Sequence, residues 1–171
     1  KVPYEDMFFE ELIPYMEKTY RIRSDKESRA IAGLSMGGYG SFLYSLHHPD
    51  MFCACAPLSA AVFDDTVMEA RKNKSHKDLF NRLFGPGDEH WKQNNVLKIL
   101  SDWDQNDLPK IRYYIDCGDD DGLLDGNMQV HQIMRQKGIR HEFRVRDGGH
   151  SWTYWRTALP EVLKFVSQTF C

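Results

Sequence analysis

The sequence has no apolar run long enough to cross a bilayer, so no stretch of it reads as a membrane-spanning helix. It has no large charge of either sign. The 22 Lys and Arg stand against 25 Asp and Glu, for a net charge of -3 and a pI near 6.2. That balance leaves no basic footprint for nucleic acid. There is no internal repeat and no low-complexity tract. There is no C-x-x-C pair, and so no zinc site of the usual spacing. Of four cysteines, Cys53 and Cys55 lie two apart in a strand-like run, where they share a face and are badly placed to bond to each other. Cys117 and Cys171 are distant in sequence, and buried or free thiols are the expected state of all four. The opening Lys1-Val2-Pro3-Tyr4 leads into a helical pattern, not a signal-peptide pattern.

What is present suits one globular domain: 171 residues, 42% hydrophobic and 27% charged. Tyr4 to Tyr20 has helical apolar spacing, with Pro14 inside it. After the charged turn Ser24 to Ser28, strands are expected at Arg29 to Leu34, Phe52 to Leu58, Lys110 to Cys117 and Arg140 to Arg146. Helices are expected at Met36 to His48, stopped by Pro49, and at Asn127 to Lys137, closed by Gly138. A last helix from about Pro160 to Phe170 would use Pro160 in its first turn. The fourth strand alternates, with Phe143 and Val145 on one face and Glu142, Arg144 and Arg146 on the other, which suits a sheet edge. Strands alternating with helices predict an α/β fold, a mostly parallel sheet flanked by helices. Residues 59–108 are mixed. Helical segments at Asp78 to Phe84 and Trp91 to Leu100 flank a Gly85-Pro86-Gly87 turn, and the stretch reads as an insertion that shapes substrate choice.

Gly33-Leu34-Ser35-Met36-Gly37 fits G-x-S-x-G, and it lies between an expected strand and an expected helix, as the motif requires. Such a serine sits on a strained turn with its hydroxyl above the sheet. Small residues let the helix approach, and the helix N-terminus turns N–H groups toward the site. Met36 N–H is then the first oxyanion donor.

Serine needs a general base. Among seven histidines, His47 and His48 end a helix, His76 and His90 lie in the mixed stretch, His131 is within a helix and His141 opens a strand. His150 lies in Asp147-Gly148-Gly149-His150-Ser151-Trp152, a loop after the last strand, where this chemistry wants it. The orienting acid should fall between Ser35 and His150, in Asp116-Cys117-Gly118-Asp119-Asp120-Asp121-Gly122. Asp116 is still in the strand, and spacing leaves Asp119, Asp120 and Asp121 open. Read as an EF-hand loop with Gly122 as its glycine, the same run fails at Cys117 and Met128, so no metal is expected.

With those motifs in place, the sequence resembles the esterase-D-like family of α/β-hydrolases, which includes feruloyl and acetyl-xylan esterases, S-formylglutathione hydrolases and mycolyl transferases. The likeness rests on Ala30-Ile31-Ala32-Gly33-Leu34-Ser35-Met36-Gly37-Gly38, on Ile115-Asp116-Cys117-Gly118-Asp119-Asp120-Asp121, and on Gly148-Gly149-His150-Ser151-Trp152 with Trp155 following. It implies that the acid is Asp121. The Gly-Gly-His-Ser-Trp run is closer to plant-polysaccharide esterases than to formylglutathione hydrolases.

The resemblance also implies a partial α/β-hydrolase fold, because the family's first strands have no counterpart ahead of Tyr4. The loop that usually supplies the second oxyanion donor goes with them. An exposed edge on the Arg29 to Leu34 strand would then invite pairing with a second copy. The implied reaction is hydrolysis of a small-molecule or polysaccharide ester through an acyl-enzyme, with no cofactor, no nucleic acid and no membrane partner. Acyl transfer of the mycolyl-transferase kind, or an inactive fragment, are the alternatives. A polysaccharide esterase would suit a secreted or periplasmic setting. Phe63, Phe80, Phe84, Trp91, Trp103 and Trp152 are candidate aromatic contacts for substrate, and each competes with a plain role in the core. The basic run Arg71-Lys72-Asn73-Lys74 reads as a solvated face.

Overall fold

The computed structural model describes residues 3–72, 89–104 and 110–170. The expected helix at Asp78 to Phe84, the Gly85-Pro86-Gly87 turn, Phe80, Phe84, His76 and Cys171 lie outside the described residues. Helical segments Tyr4–Asp6, Met7–Leu12 and Ile13–Thr19 follow one another as α1. The order continues with β1 (Ala30–Leu34), α2 (Met36–His47), β2 (Ala54–Leu58), α3 (Asp65–Lys72), α4 (Glu89–Gln93) and α5 (Val96–Asp102). It ends with β3 (Arg112–Gly118), α6 (Leu124–Lys137), β4 (His141–Arg146) and α7 (Trp152–Ser167).

The four strands form one parallel sheet in the order β1-β2-β3-β4. β2 is buried at every position, and β3 at all but Arg112, so both read as continuous apolar runs. β1 and β4 are the edges of the described sheet and are only partly covered. The edge position of β4 is thus as its alternation implied. Period-two alternation sorts the side chains into two layers. Cys55, Tyr113 and Ile115 meet Phe42 and Leu46 of α2, Leu97 and Leu100 of α5, and Val130 and Met134 of α6. Ala54, Ala56, Leu58 and Tyr114 face Tyr154, Trp155, Ala158, Val162 and Phe165 of α7 on the opposite side.

Three elements differ from expectation for local reasons. The turn Met7–Leu12 in α1 is π-helical, with Ile13 N–H reaching back to Phe8 O. Pro14, next in the chain, has no N–H to continue the ladder, and the widened turn accommodates it. The expected helix at 91–100 is two helices, because Asn95 caps α5 with its side chain, accepting from Leu97 N–H at 3.0 Å and Lys98 N–H at 3.4 Å. α7 begins at Trp152, eight residues ahead of Pro160. Ser151 caps it by accepting from Tyr154 N–H, and Pro160 sits mid-helix on an exposed face, where water can satisfy the carbonyl it leaves bare. α6 ends as expected on a left-handed Gly138, with Ile139 N–H bonded to Met134 O.

Two thiols are buried away from solvent. Cys55 and Cys117 are fully buried, and burial pushes each up to about 12.

Candidate active site

Three loops at the C-terminal ends of β1, β3 and β4 meet at one point. Ser35 joins β1 to α2 with φ 56° and ψ −116°, a strained conformation for a residue with a Cβ. Its neighbours hold it there. Ser35 N–H donates to Leu58 O at 2.9 Å, and Ser35 O accepts from Tyr39 N–H at 3.1 Å and Ala61 N–H at 3.0 Å. Gly33 is needed for space, since a Cβ there would stand 2.4 Å from Gly37 O. Gly38 is needed against β2, since its Cβ would stand 2.9 Å from Leu58 O. Gly37 itself has open space around its Cβ direction.

Ser35 Oγ lies 2.9 Å from His150 Nε2. His150 Nδ1 lies 2.9 Å and 3.1 Å from the two carboxylate oxygens of Asp121. The serine, the histidine and the third aspartate of the acidic loop are therefore one hydrogen-bonded relay. The three aspartates left open by spacing have separate uses. The Asp121 side chain is buried, and its Oδ1 also accepts from Leu123 N–H at 2.9 Å. Asp119 Oδ1 accepts from Gly148 N–H at 3.0 Å, and Asp119 N–H donates to Arg146 O. Asp120 has an exposed side chain and gives its N–H to Gly148 O at 3.1 Å. The acid loop and the histidine loop are thus laced together. Their contact is so close that a Cβ on Gly118 would fall 1.9 Å from Gly148 O. Asp119, Asp120 and Asp147 cluster on the exposed side of this lacing.

Met36 opens α2 with its side chain 76% exposed, and its N–H belongs to the first turn, which has no partners within the helix. Trp155 meets His150 edge to face at 4.8 Å between ring centres, and its indole N–H donates to the buried Ser59 Oγ at 3.0 Å. Ser59, at the end of β2, also has positive φ (44°). Two strained serines thus flank the site, and the motif announced only Ser35.

The candidate aromatic contacts divide. Trp152 is 62% exposed and packs edge on Trp155, beside the histidine loop. Phe63 is half-buried and lines a cleft of about 350 Å³ together with Val62, Val67, Leu123, Met128 and Gln132. No relay residue lines that cleft; it is linked to the relay through the chain, Ala61 being bonded to Ser35 and the lining residue Leu123 to Asp121. Trp91 is put to a different use. It is buried against Met68, with its indole N–H on Asp65 Oδ1 at 3.0 Å, so it packs the segment after β2 and has no open face for a ligand. Trp103 packs against the main core.

The parallel order, the strained serine elbow and the loops at the strand ends define an α/β-hydrolase, and solved structures agree. The chain superposes on a ferulic acid esterase with a TM-score of 0.82 at 41% identity, over 98% of this chain and 61% of that one. The chain belongs to the Esterase family ("Putative esterase"), which matches residues 2–166. Among relatives it is 26% identical to an acetyl esterase of Caldicellulosiruptor saccharolyticus, over 92% of this chain and 61% of that protein. It is 40% identical to an endo-1,4-beta-xylanase/feruloyl esterase of Xylanibacter ruminicola, over 93% of this chain and 17% of that larger protein. The chain thus spans about three-fifths of the acetyl esterase and a smaller share of the xylanase/esterase.

Proposed function

We propose that this chain carries the acid–base–nucleophile machinery of a serine carboxylic ester hydrolase that acts through an acyl-enzyme on plant-polysaccharide esters, feruloyl or acetyl. The observation that carries the reading is the relay from Asp121 through His150 to Ser35. Ser35 Oγ attacks the ester carbonyl while His150 Nε2 takes its proton. Asp121 holds the Nδ1–H and stabilises the imidazolium. The tetrahedral oxyanion takes Met36 N–H, aided by the N-terminus of α2. His150 then protonates the leaving alcohol. In the second half it takes a proton from water, whose oxygen attacks the acyl carbonyl and frees Ser35. No cofactor enters this scheme.

The cleft beside the relay is the proposed seat of the acyl group. Its wall joins apolar Val62, Phe63, Val67, Leu123 and Met128 to polar Asp64, Asp125, Gln129 and Gln132, with Phe63 able to stack on an aromatic acid and Gln132 at hand for a ring hydroxyl. The carbohydrate identity of the alcohol rests on the printed names of the relatives. Hydrolysis is our preferred reading over acyl transfer: the His150 side chain is 37% exposed in this chain, and a site that stays open to water in a longer form would support it. One oxyanion donor is a weak hole, since loss of a second donor typically costs about 10²–10³-fold in rate. We propose that the second donor, and a strand for the free edge of β1, come from further chain of the kind the longer relatives possess. A second copy on that edge is the other occupant.

Labelling with a fluorophosphonate tests the reading. The expected result is a covalent adduct on Ser35 that is lost in Ser35→Ala. Labelling elsewhere, or none in this chain or in a longer form of it, would sink the proposal. Labelling only in the longer form would assign the missing donor to the added segment.

A further inference from the structure

Asp116 is fully buried in β3, five residues before Asp121, and takes no part in the relay. Three donors converge on it. Tyr154 OH donates to Oδ1 at 2.5 Å, and Tyr114 OH donates to Oδ2 at 2.9 Å. Arg146 Nη2 lies 3.1 Å from Oδ2 and also donates to Tyr114 OH at 2.8 Å. Burial first, and then the Asp116 charge, push the Tyr114 hydroxyl up to about 12. Burial and the hydrogen bond to Asp116 raise Tyr154 as well, so both phenols remain donors.

The placement of these donors is what matters. Arg146 is the last residue of β4, and Tyr154 is the third residue of α7. Between them runs the loop that presents His150. Both ends of that loop are therefore clipped to one carboxylate, and that carboxylate stands in the strand that delivers Asp121. The Tyr154 ring also presses on the loop's turn. Gly148 has φ 135°, and a Cβ there would lie 2.8 Å from Tyr154 Cδ2. Stability alone does not call for such a cluster, because buried ionic groups are often replaced by apolar ones at no cost. Apolar packing would not, however, fix the direction of both loop ends at once.

We propose that Asp116, with Tyr154 and Arg146, is a positioning group that sets the distance and angle between His150 and Ser35. The inference rests on the triad reading above, and it concerns this chain's own loop order, which can be read without any substrate. The test is Tyr154→Phe, which keeps the ring on Gly148 and removes one clip. Amide hydrogen exchange should rise about tenfold or more at 147–151, beyond any change in β2 and β3. The His150 ring signals should titrate differently from the parent. The fluorophosphonate labelling rate of Ser35 should fall about tenfold or more, as expected for a small misplacement of a base. Conservative Arg146→Lys should move the same readouts in the same direction, and it serves if Tyr154→Phe fails to fold. Loop exchange and His150 titration identical to the parent would overturn the proposal even if global stability dropped. Absence of Ser35 labelling both in the parent and in a longer form of it would instead count against the hydrolase reading, and the exchange and titration data would still decide this one.

Discussion

Replacing Asp121 by Asn is the sharpest test of the relay, because the outcome follows from one further hydrogen bond. Asp121 Oδ1 accepts from Leu123 N–H at 2.9 Å, while Oδ2 lies 2.9 Å from His150 Nδ1. An asparagine must keep its carbonyl oxygen on Leu123 N–H. Its NH2 group then takes the nearer place, 2.9 Å from His150 Nδ1, and favours a lone pair there, against the retained oxygen at 3.1 Å, which competes for the Nδ1 proton. The ring proton moves to Nε2, and the atom facing Ser35 Oγ at 2.9 Å can no longer accept a proton. In a serine triad such a tautomer change costs about 10⁴-fold in kcat, or ~5.5 kcal/mol. The escape route is an amide flip that leaves Leu123 N–H against an NH2, at a cost of about 1–3 kcal/mol or roughly 5- to 150-fold. The expected loss therefore lies between about 5- and 10⁴-fold, set by whether the flipped amide or the changed tautomer prevails. Steady-state hydrolysis of a chromogenic ester and the rate of Ser35 labelling both read it. Asp119→Asn keeps the oxygen that accepts Gly148 N–H, and Asp120 is exposed, so each of those substitutions should cost only a few-fold. A loss for Asp121→Asn no larger than that for Asp119→Asn or Asp120→Asn would refute the assignment.

Gly33→Ala should cost about 2 kcal/mol or more, lowering Tm by about 4–8 °C, because its Cβ would meet backbone 2.4 Å away; an unchanged melt would mean that the elbow relaxes freely. Gly122→Leu adds a side chain where a Cβ meets nothing within 4 Å and narrows the cleft. It should cut kcat/KM for a hydroxycinnamoyl ester about tenfold or more relative to an acetyl ester, and parallel losses on both would remove the cleft as acyl seat. Glu5 Oε1 joins α1 to the end of α2 through His47 Nδ1 and His48 Nε2, each at 2.9 Å. Burial raises Glu5, but the bonds and attraction from His47 and His48 outweigh it and hold the carboxyl below its ordinary 4.5. The hydrogen bond to Glu5 holds His47 above its ordinary 6.5. The lowered acid stabilises above its unfolded pKa and loses that contribution as pH falls through the folded value. The raised histidine stabilises below its unfolded pKa and loses that contribution as pH rises through the folded value. Melts should therefore show Glu5→Gln differing most from the parent near about pH 6 and less at about pH 9 or pH 3, a pattern that a pH-independent difference would contradict.

Ser35 and His150 were legible because their signals are local. A strand–turn–helix context surrounds one, and a glycine-rich loop after the last strand holds the other. The choice among Asp119, Asp120 and Asp121 was not legible from spacing. It depends on which carboxyl the lacing of two loops leaves facing the imidazole. The start of α7 was hidden because Pro160 looks like a first-turn residue, and only the solvent-facing side of a helix tolerates it further in. Trp91 and Phe63 have the same signature in sequence, yet one is packed away on Asp65 and the other lines the cleft. The Asp116 cluster draws on positions 114, 116, 146 and 154. No period connects them; the β3–β4 register, which sets Asp116 beside Arg144 and Gly118 beside Arg146, and the packing of α7 on the Tyr114 face bring them together.

The same register explains how an open site can still be an ordered one. Ser35 and His150 are 115 residues apart in sequence, yet a chain of backbone bonds leads from one to the other. Ser35 N–H is bonded to Leu58 O, Ser59 N–H to Asp116 O at 2.7 Å, and Asp119 N–H to Arg146 O at 2.9 Å. Each step crosses from one strand end to the next along β1, β2, β3 and β4. Position in the reaction is thus inherited from the sheet, and the side chains have only short distances left to cover. Where geometry is prepaid in this way, catalysis does not depend on a closed cavity to orient the base. In the proposed mechanism the partly exposed His150 would meet water for deacylation while its bonds to Ser35 and Asp121 hold its aim. In the proposed mechanism the second oxyanion donor comes from further chain, so the expected rate deficit would be one of charge stabilisation, with alignment already set by the sheet.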